Sequence, residues 1–298
     1  MVPLAVADLV SGYNIIQKLG IGARSQIYQV VHPESGRVFA LKRVIREEHE
    51  DARFLQQAIT EYEVASRLEH PSLRTCHEIK RIRSWMKLCE VQVVMEYVNG
   101  VSLDKRRPER IDDAVDVFLQ VAEGLEALHK AGHVHADIKP NNLLITPERA
   151  VKIIDFGQSC PIGHRKPRIQ GTPDFIAPEQ VERRSLTPET DVFGLGATLY
   201  WVLTDRPFPT LITKKGRSNE GLMRAVPSPQ KLNPDVPSVL SRLVMDSCAY
   251  RRSDRPSDMK QVINKLEMCH HVLAKRRQSG RDMSTASRET DPPGDDES

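Results

Sequence analysis

One short stretch near the middle of the chain, HVHADIKPNNLLI from His133 to Ile145, constrains it more than any other. It sets a carboxylate, a lysine and an amide in a single loop at the spacing D-x-K-x-x-N. A carboxylate at Asp137 can accept a proton from an attacking hydroxyl. Lys139 can neutralise charge on a moving phosphoryl group, and Asn142 can hold a hard cation through its amide oxygen. Together the three suit phosphoryl transfer.

The rest of the chain allows such a site and excludes several alternatives. At 298 residues it is long enough for one large domain or two smaller ones, with a real core in either case. With 39% hydrophobic and 28% charged residues it lies in the globular range. A formal net charge of only +3 and 5% aromatics give no dense basic and aromatic surface of the kind that tracks nucleic acid. Cys76, Cys89, Cys160, Cys248 and Cys269 form no C-x-x-C pair, and their odd number leaves at least one unpaired, which points to a reducing, cytoplasmic compartment. The start, MVPLAVADLV, is apolar but short, lacks a basic n-region and carries Asp8, so it does not read as a signal peptide. No apolar run approaches the roughly 20 residues that span a bilayer, and the chain is expected to be soluble.

The loop resembles the catalytic loop of protein kinases, H-R-D-x-K-x-x-N, at His135, Asp137, Lys139 and Asn142. Ala136 stands where the family usually has arginine. The resemblance covers roughly residues 13–268 and is similar in wording to bacterial kinases of the eukaryotic, or Hanks, type. It implies an α+β bilobal fold, with a small β-rich N-lobe carrying one key helix over 13–97 and a larger, mostly helical C-lobe over 98–274. Residues 1–12 would form an N-terminal extension. The tail 275–298 divides into a basic and an acidic block with almost no large apolar residues, and is expected to be disordered.

In chain order, Tyr13 to Val44 alternates apolar and polar residues in runs broken by Gly and by HPESG, the pattern of three antiparallel strands. The first turn holds Leu19, Gly20, Gly22, Ser25 and Ile27. Its glycines would let the backbone approach phosphates, although a lone G-x-G-x-x-S reads equally well as an ordinary hairpin turn. VFALK resembles the family's V-A-I-K strand, with Lys42 as a phosphate ligand; its alternative reading is a snorkelling surface lysine. A helix from about Leu55 to Leu68 offers Glu61 as the partner of Lys42. Glu63 is the competitor and would project from another helix face.

Two apolar strands follow, the second ending in VVMEYVNG. By resemblance this is the hinge between lobes, with Met95 behind an adenine pocket and the backbone of Glu96 and Val98 meeting the base. Leu19, Ile27, Ala40 and Leu144 would supply apolar walls, though plain core packing is the commoner fate of such residues. A helix after Ile111 keeps one apolar face from Val115 to Leu128 and leads into the catalytic loop. The strand AVKII then delivers Asp155-Phe156-Gly157, which the resemblance makes the magnesium carboxylate, a buried Phe and a flexible Gly. GTPDFIAPE resembles the family's G-T-x-x-(Y/F)-x-A-P-E. With Lys139, Thr172 points to serine/threonine specificity, Glu179 would pair with Arg255, and Asp191 would orient the catalytic loop.

The resemblance therefore implies an enzyme that transfers the γ-phosphate of ATP to Ser or Thr hydroxyls of protein substrates, with magnesium, or manganese in its place. Asp137 and Lys139 would act on the hydroxyl, and Asn142 and Asp155 on the metal. Because Ala136 cannot receive a loop phosphate, and Ser159 is the sole hydroxyl between Gly157 and Thr172, loop phosphorylation is not expected to be required. The basic run His164, Arg165, Lys166, Arg168 reads as a solvated loop, or alternatively as a selector of acidic partners. Two other function classes fit parts of the sequence. A nucleotide-binding module without transfer is favoured by Ser25 and Ala136 but opposed by the complete set of catalytic groups. A Rossmann site at Gly20 fails because a strand, not a helix, follows the glycines. His129, His133, His270 and His271 lack metal-ligand spacing and read as core or surface residues.

Overall fold

The computed structural model describes residues 9–10, 12–21, 24–46, 52–209, 221, 223 and 225–286. Its first layer is a six-stranded antiparallel sheet in the order β1-β2-β3-β4-β6-β5. The strands are β1 (Leu9–Val10), β2 (Tyr13–Ile21), β3 (Ser25–Val31), β4 (Val38–Ile45), β5 (Cys76–Ser84) and β6 (Lys87–Glu96). Leu9 and Val10 pair with Asn14 and Tyr13, so the sheet begins inside the stretch read as an extension. A second difference is β5. It is a largely exposed edge strand, CHEIKRIRS, rather than an apolar one; its charges keep an unpaired edge from recruiting further strands.

Helix α1 (Arg53–Ala65) packs on this sheet through Leu55, Ala58, Val64 and Ala65, an apolar stripe at helical spacing. Glu61 shares the buried side. Helix α2 (Ile111–Lys130) buries Val115, Phe118, Ala122 and Leu125 and carries Asp112 and Asp113 in its first turn, where the helix dipole favours them. Short pairs follow. β7 (Val101–Ser102), β9 (Leu143–Ile145) and β10 (Val151–Ile153) form a three-stranded sheet, and β8 (His133–Val134) pairs with β11 (Cys160–Pro161). After α3 (Pro178–Val181), helix α4 (Pro188–Thr204) is buried almost all round from Thr190 to Leu203, the mark of a central helix. One continuous core links β4, α1, α2, α4 and the closing helices Ser238–Ser247 and Met259–Ala286.

The last helix runs on to Ala286, into the stretch expected to be disordered. The segment extends a helix that is already nucleated, so each added residue costs far less than starting a new one, and Lys275, Arg276, Arg277 and Gln278 are good helix formers. Residues 287–298 and Gly22 lie outside the described residues. Among those described, no helix is long and apolar enough to cross a membrane.

Candidate active site

Two clusters of charge meet where the sheet joins the helical lobe. The first is held by β4 and α1. Strand alternation turns Lys42 away from the buried Leu41, and its ammonium donates to Glu61 Oε2 at 2.6 Å and to Asp155 Oδ1 at 3.3 Å. Burial alone would lower the pKa of Lys42, but Asp155 and Glu61 hold it above its ordinary value. Lys42 in turn holds the Asp155 carboxyl well below the carboxylate range, against the effect of burial. Glu63 takes another direction and approaches Arg81 at 3.6 Å.

Arg74 also belongs to this cluster, and the sequence reading passed over it. Its Nη2 donates to Glu61 Oε1 at 2.6 Å, so each oxygen of the Glu61 carboxylate meets a cation. The signal was available: an arginine in the otherwise compact PSLRTC, directly after His70, is out of place on a chain segment that enters the core. Its meaning needed the fold, because only the turn after α1 brings position 74 back under position 61.

The second cluster is held by the loop from His133 to Ile145. Lys139 Nζ donates to Asp137 Oδ2 at 2.8 Å and to Thr172 Oγ1 at 2.9 Å, and the Thr172 hydroxyl donates to Asp137 Oδ1 at 3.1 Å. Asn142 Nδ2 donates to the Asp137 carbonyl at 2.9 Å, which turns its amide oxygen the other way. The Ile154 N–H donates to the Asn142 carbonyl at 2.9 Å, which holds Asp155 beside the second cluster, so the two clusters share one space.

The loop is braced from beneath. Asp191, at the start of α4, accepts the N–H groups of His135 and Ala136, each at 2.8 Å, and lies 2.8 Å from His129 Nε2. This contact gives His129 a bracing role that spacing did not show. His135 packs against Phe156 with the rings tilted, centroids 5.2 Å apart, and has Nε2 3.2 Å from the Ile154 carbonyl. Phe156 is fully buried against α1. Asp155 itself has φ 65°, a left-handed backbone uncommon for a non-glycine residue. Glu179 and Arg255 form a two-pronged buried pair at 2.8 and 3.0 Å.

Of the remaining residues read as binding a nucleotide, Met95 is fully buried opposite Ala40 on the neighbouring strand, Ile27 and Leu144 are half-buried, and Leu19 is exposed. Gly20 has open space where a Cβ would stand, and Ser25 opens β3 opposite Val44. At the lobe junction Glu96 gives its N–H to the Thr75 carbonyl, and the Val98 carbonyl accepts from Gly100.

Comparison with known proteins shows what the chain resembles. The protein kinase domain family matches residues 13–272. The chain is 30% identical over 254 residues to serine/threonine-protein kinase PknA of Mycobacterium tuberculosis strain H37Rv, covering 82% of this chain and 58% of that protein. It is 26% identical over 266 residues to a probable serine/threonine-protein kinase PknB of Lactococcus lactis, covering 84% and 41%. It thus spans about half the length of these relatives. Among solved structures, the PknI kinase domain of Mycobacterium tuberculosis superimposes with a TM-score of 0.68 at 22% identity, over 90% of this chain and 100% of that one, a likeness of fold.

Proposed function

The chain belongs to the protein kinase family, and from that premise we propose that it is a serine/threonine kinase moving the γ-phosphoryl group of ATP onto Ser or Thr hydroxyls of protein substrates. The observation that carries this reading is the pairing of two clusters in one space: Lys42, Glu61 and Asp155 on one side, Asp137, Lys139 and Asn142 on the other. Phosphoryl transfer asks the protein mainly for position and charge, and these groups provide both.

Asp137 would accept the proton of the incoming hydroxyl, and Lys139, held against it, would offset charge on the moving group. Thr172 keeps both in place and marks the approach of an aliphatic hydroxyl. Lys42, fixed by Glu61, would contact the phosphates of the nucleotide. The donor set fits a hard divalent cation, since Asp155 is held ionised and the Asn142 amide oxygen is turned away from its own hydrogen bond. Bound there, magnesium or manganese would neutralise phosphate oxygens. Leu19, Ile27, Ala40, Met95 and Leu144 would wall the base, and Gly20, Gly22 and Ser25 would cover the phosphates. With the N–H of Glu96 and the carbonyl of Val98 already engaged, the base would use the Glu96 carbonyl and the Val98 N–H. The five free thiols suit a reducing compartment such as the cytoplasm.

Loop phosphorylation is not part of this proposal. Ala136 offers no cation to a phosphate, and Ser159 is only 6% exposed, with its hydroxyl shut away from solvent. The test compares wild type with Asp137→Asn for transfer of labelled γ-phosphate to the chain itself and to a generic basic protein. Label on serine or threonine that disappears in the variant is the expected result, and Ser159→Ala should keep it. If neither protein transfers label while ATP still raises the melting temperature, the chain is a nucleotide-binding module and not a kinase.

A further inference from the structure

Lys166 does not behave as a member of a solvated basic run. His164, Arg165 and Arg168 are exposed, but Lys166 is only 9% exposed. The backbone explains the difference. Arg165 bridges antiparallel to Ser185, the Leu186 N–H donates to the His164 carbonyl at 2.9 Å, and the Gly163 N–H donates to the Leu186 carbonyl at 2.7 Å. Past this bridge position 166 lies inward, beside Leu186 and Gln180. There the ammonium donates to the backbone carbonyl of Gln158 and, at 3.2 Å, to the Gln158 side-chain oxygen.

The place it occupies is informative. Ala136 packs in a small apolar cluster with Val134, Cys160 and Leu186, on which Lys166 borders. Burial pushes the ammonium's pKa down, and Asp137 and Asp191, the carboxylates on either side of Ala136, oppose that shift. A buried ammonium whose direct partners are neutral oxygens costs stability. Gln158 closes the turn that begins at Phe156, directly after Asp155, so the tie reaches from the far side of the loop back to the metal-binding carboxylate's own turn. A second tie runs parallel to it, from Gln180 Nε2 to the carbonyls of Ala136 at 2.9 Å and Gln170 at 3.1 Å.

Building on the kinase reading, we propose that Lys166 is a positioning residue that holds the segment between Asp155 and Thr172 in its working shape, supplying from within the chain the cross-link that a loop phosphate would otherwise provide. It acts through Gln158 and touches no substrate.

The test uses the full chain with Lys166→Met, Lys166→Arg and Gln158→Met. Steady-state transfer is measured beside thermal unfolding and thermolysin cleavage within residues 157–171. Lys166→Met is expected to lower kcat about tenfold or more, with KM for ATP within about twofold, because the lost effect is one of orientation and not of nucleotide binding. Lys166→Arg, which keeps a cation and donors, should recover most of the rate. Gln158→Met should reproduce the loss, and thermolysin should cut the segment faster in both Met variants at an unchanged melting temperature. Wild-type kcat in Lys166→Met overturns the proposal, as does a loss that merely follows a fall in melting temperature. If Lys166→Met does not fold, Gln158→Met decides by the same criteria. Segment protection is read without turnover, so a wild type that transfers nothing defeats the kinase reading while thermolysin still decides the role of Lys166.

Discussion

Glu61 stands between two buried cations, and that arrangement changes what the loss of either one does. Removing one partner of a buried ion pair ordinarily costs about 3–5 kcal/mol, because a charge is left stranded. Lys42→Met should abolish transfer yet cost less stability than that, since Arg74 still neutralises Glu61. The double variant Lys42→Met with Arg74→Met should lose more than the sum of the singles in urea unfolding. Simple additivity would mean that Arg74 is not a partner of Glu61 in solution. Thiol chemistry separates a second set of residues. Burial pushes Cys76 up to about 12, and Cys160 and Cys269 up to about 11, and Cys248 is raised further still. Cys89 is the one partly exposed cysteine. An aromatic disulfide reagent at pH 8 should therefore modify Cys89 in the native chain and reach the other four only on unfolding.

At the level of elements, the loop from His133 to Ile145 has its shape because α4 delivers Asp191 to it. Burial alone would raise that carboxyl's pKa, but the His129 contact and the N–H of His135 hold it low. Asp191→Asn keeps one carbonyl oxygen and removes the charge, so the two loop N–H groups lose charge-assisted acceptors. A loss of about 2–4 kcal/mol is expected from two weakened hydrogen bonds to a charged group. The sign with pH follows from the lowered values of Asp191 and Asp155. Their contribution is complete above the unfolded-state value of about 3.9 and is lost as pH falls through the lower folded values. Melting temperature against pH should therefore fall below about pH 4 in wild type, and less steeply in Asp191→Asn. Helix α4 also meets the helix Ser238–Ser247 so closely at Gly196 that an added Cβ would lie 2.6 Å from Ser247 Cβ. Alanine gains up to about 1 kcal/mol in helix propensity over glycine, but a clash with an atom fixed to the backbone costs about 1–3. Gly196→Ala should lower the melting temperature; a rise would mean that the two helices can part freely.

Across the whole molecule, distant pairs tie together what sequence separates. Arg255 grips Glu179, which Thr190 also contacts, and lies over the Phe193 ring at 5.0 Å. Arg255→Ala strands a buried carboxylate and should cost about 3–5 kcal/mol in urea unfolding, felt by the whole helical lobe because one core runs through it. Much of this architecture is legible in local patterns of the chain. Strand alternation from Tyr13 to Val44, the apolar stripe of α2 and the spacing of Asp137, Lys139, Asn142 and Asp155 are local patterns that the 2-residue and 3.6-residue periods of the backbone make legible. Lys42 with Glu61, and Glu179 with Arg255, were also readable, through resemblance to a family and not from spacing. Three features come from the folded chain alone: Arg74 doubles the hold on Glu61, Lys166 turns inward while its basic neighbours face out, and His129 braces Asp191. Each of these depends on which segments the turns bring together, and a charged side chain carries no periodic signal of whether it meets water or a partner far along the chain.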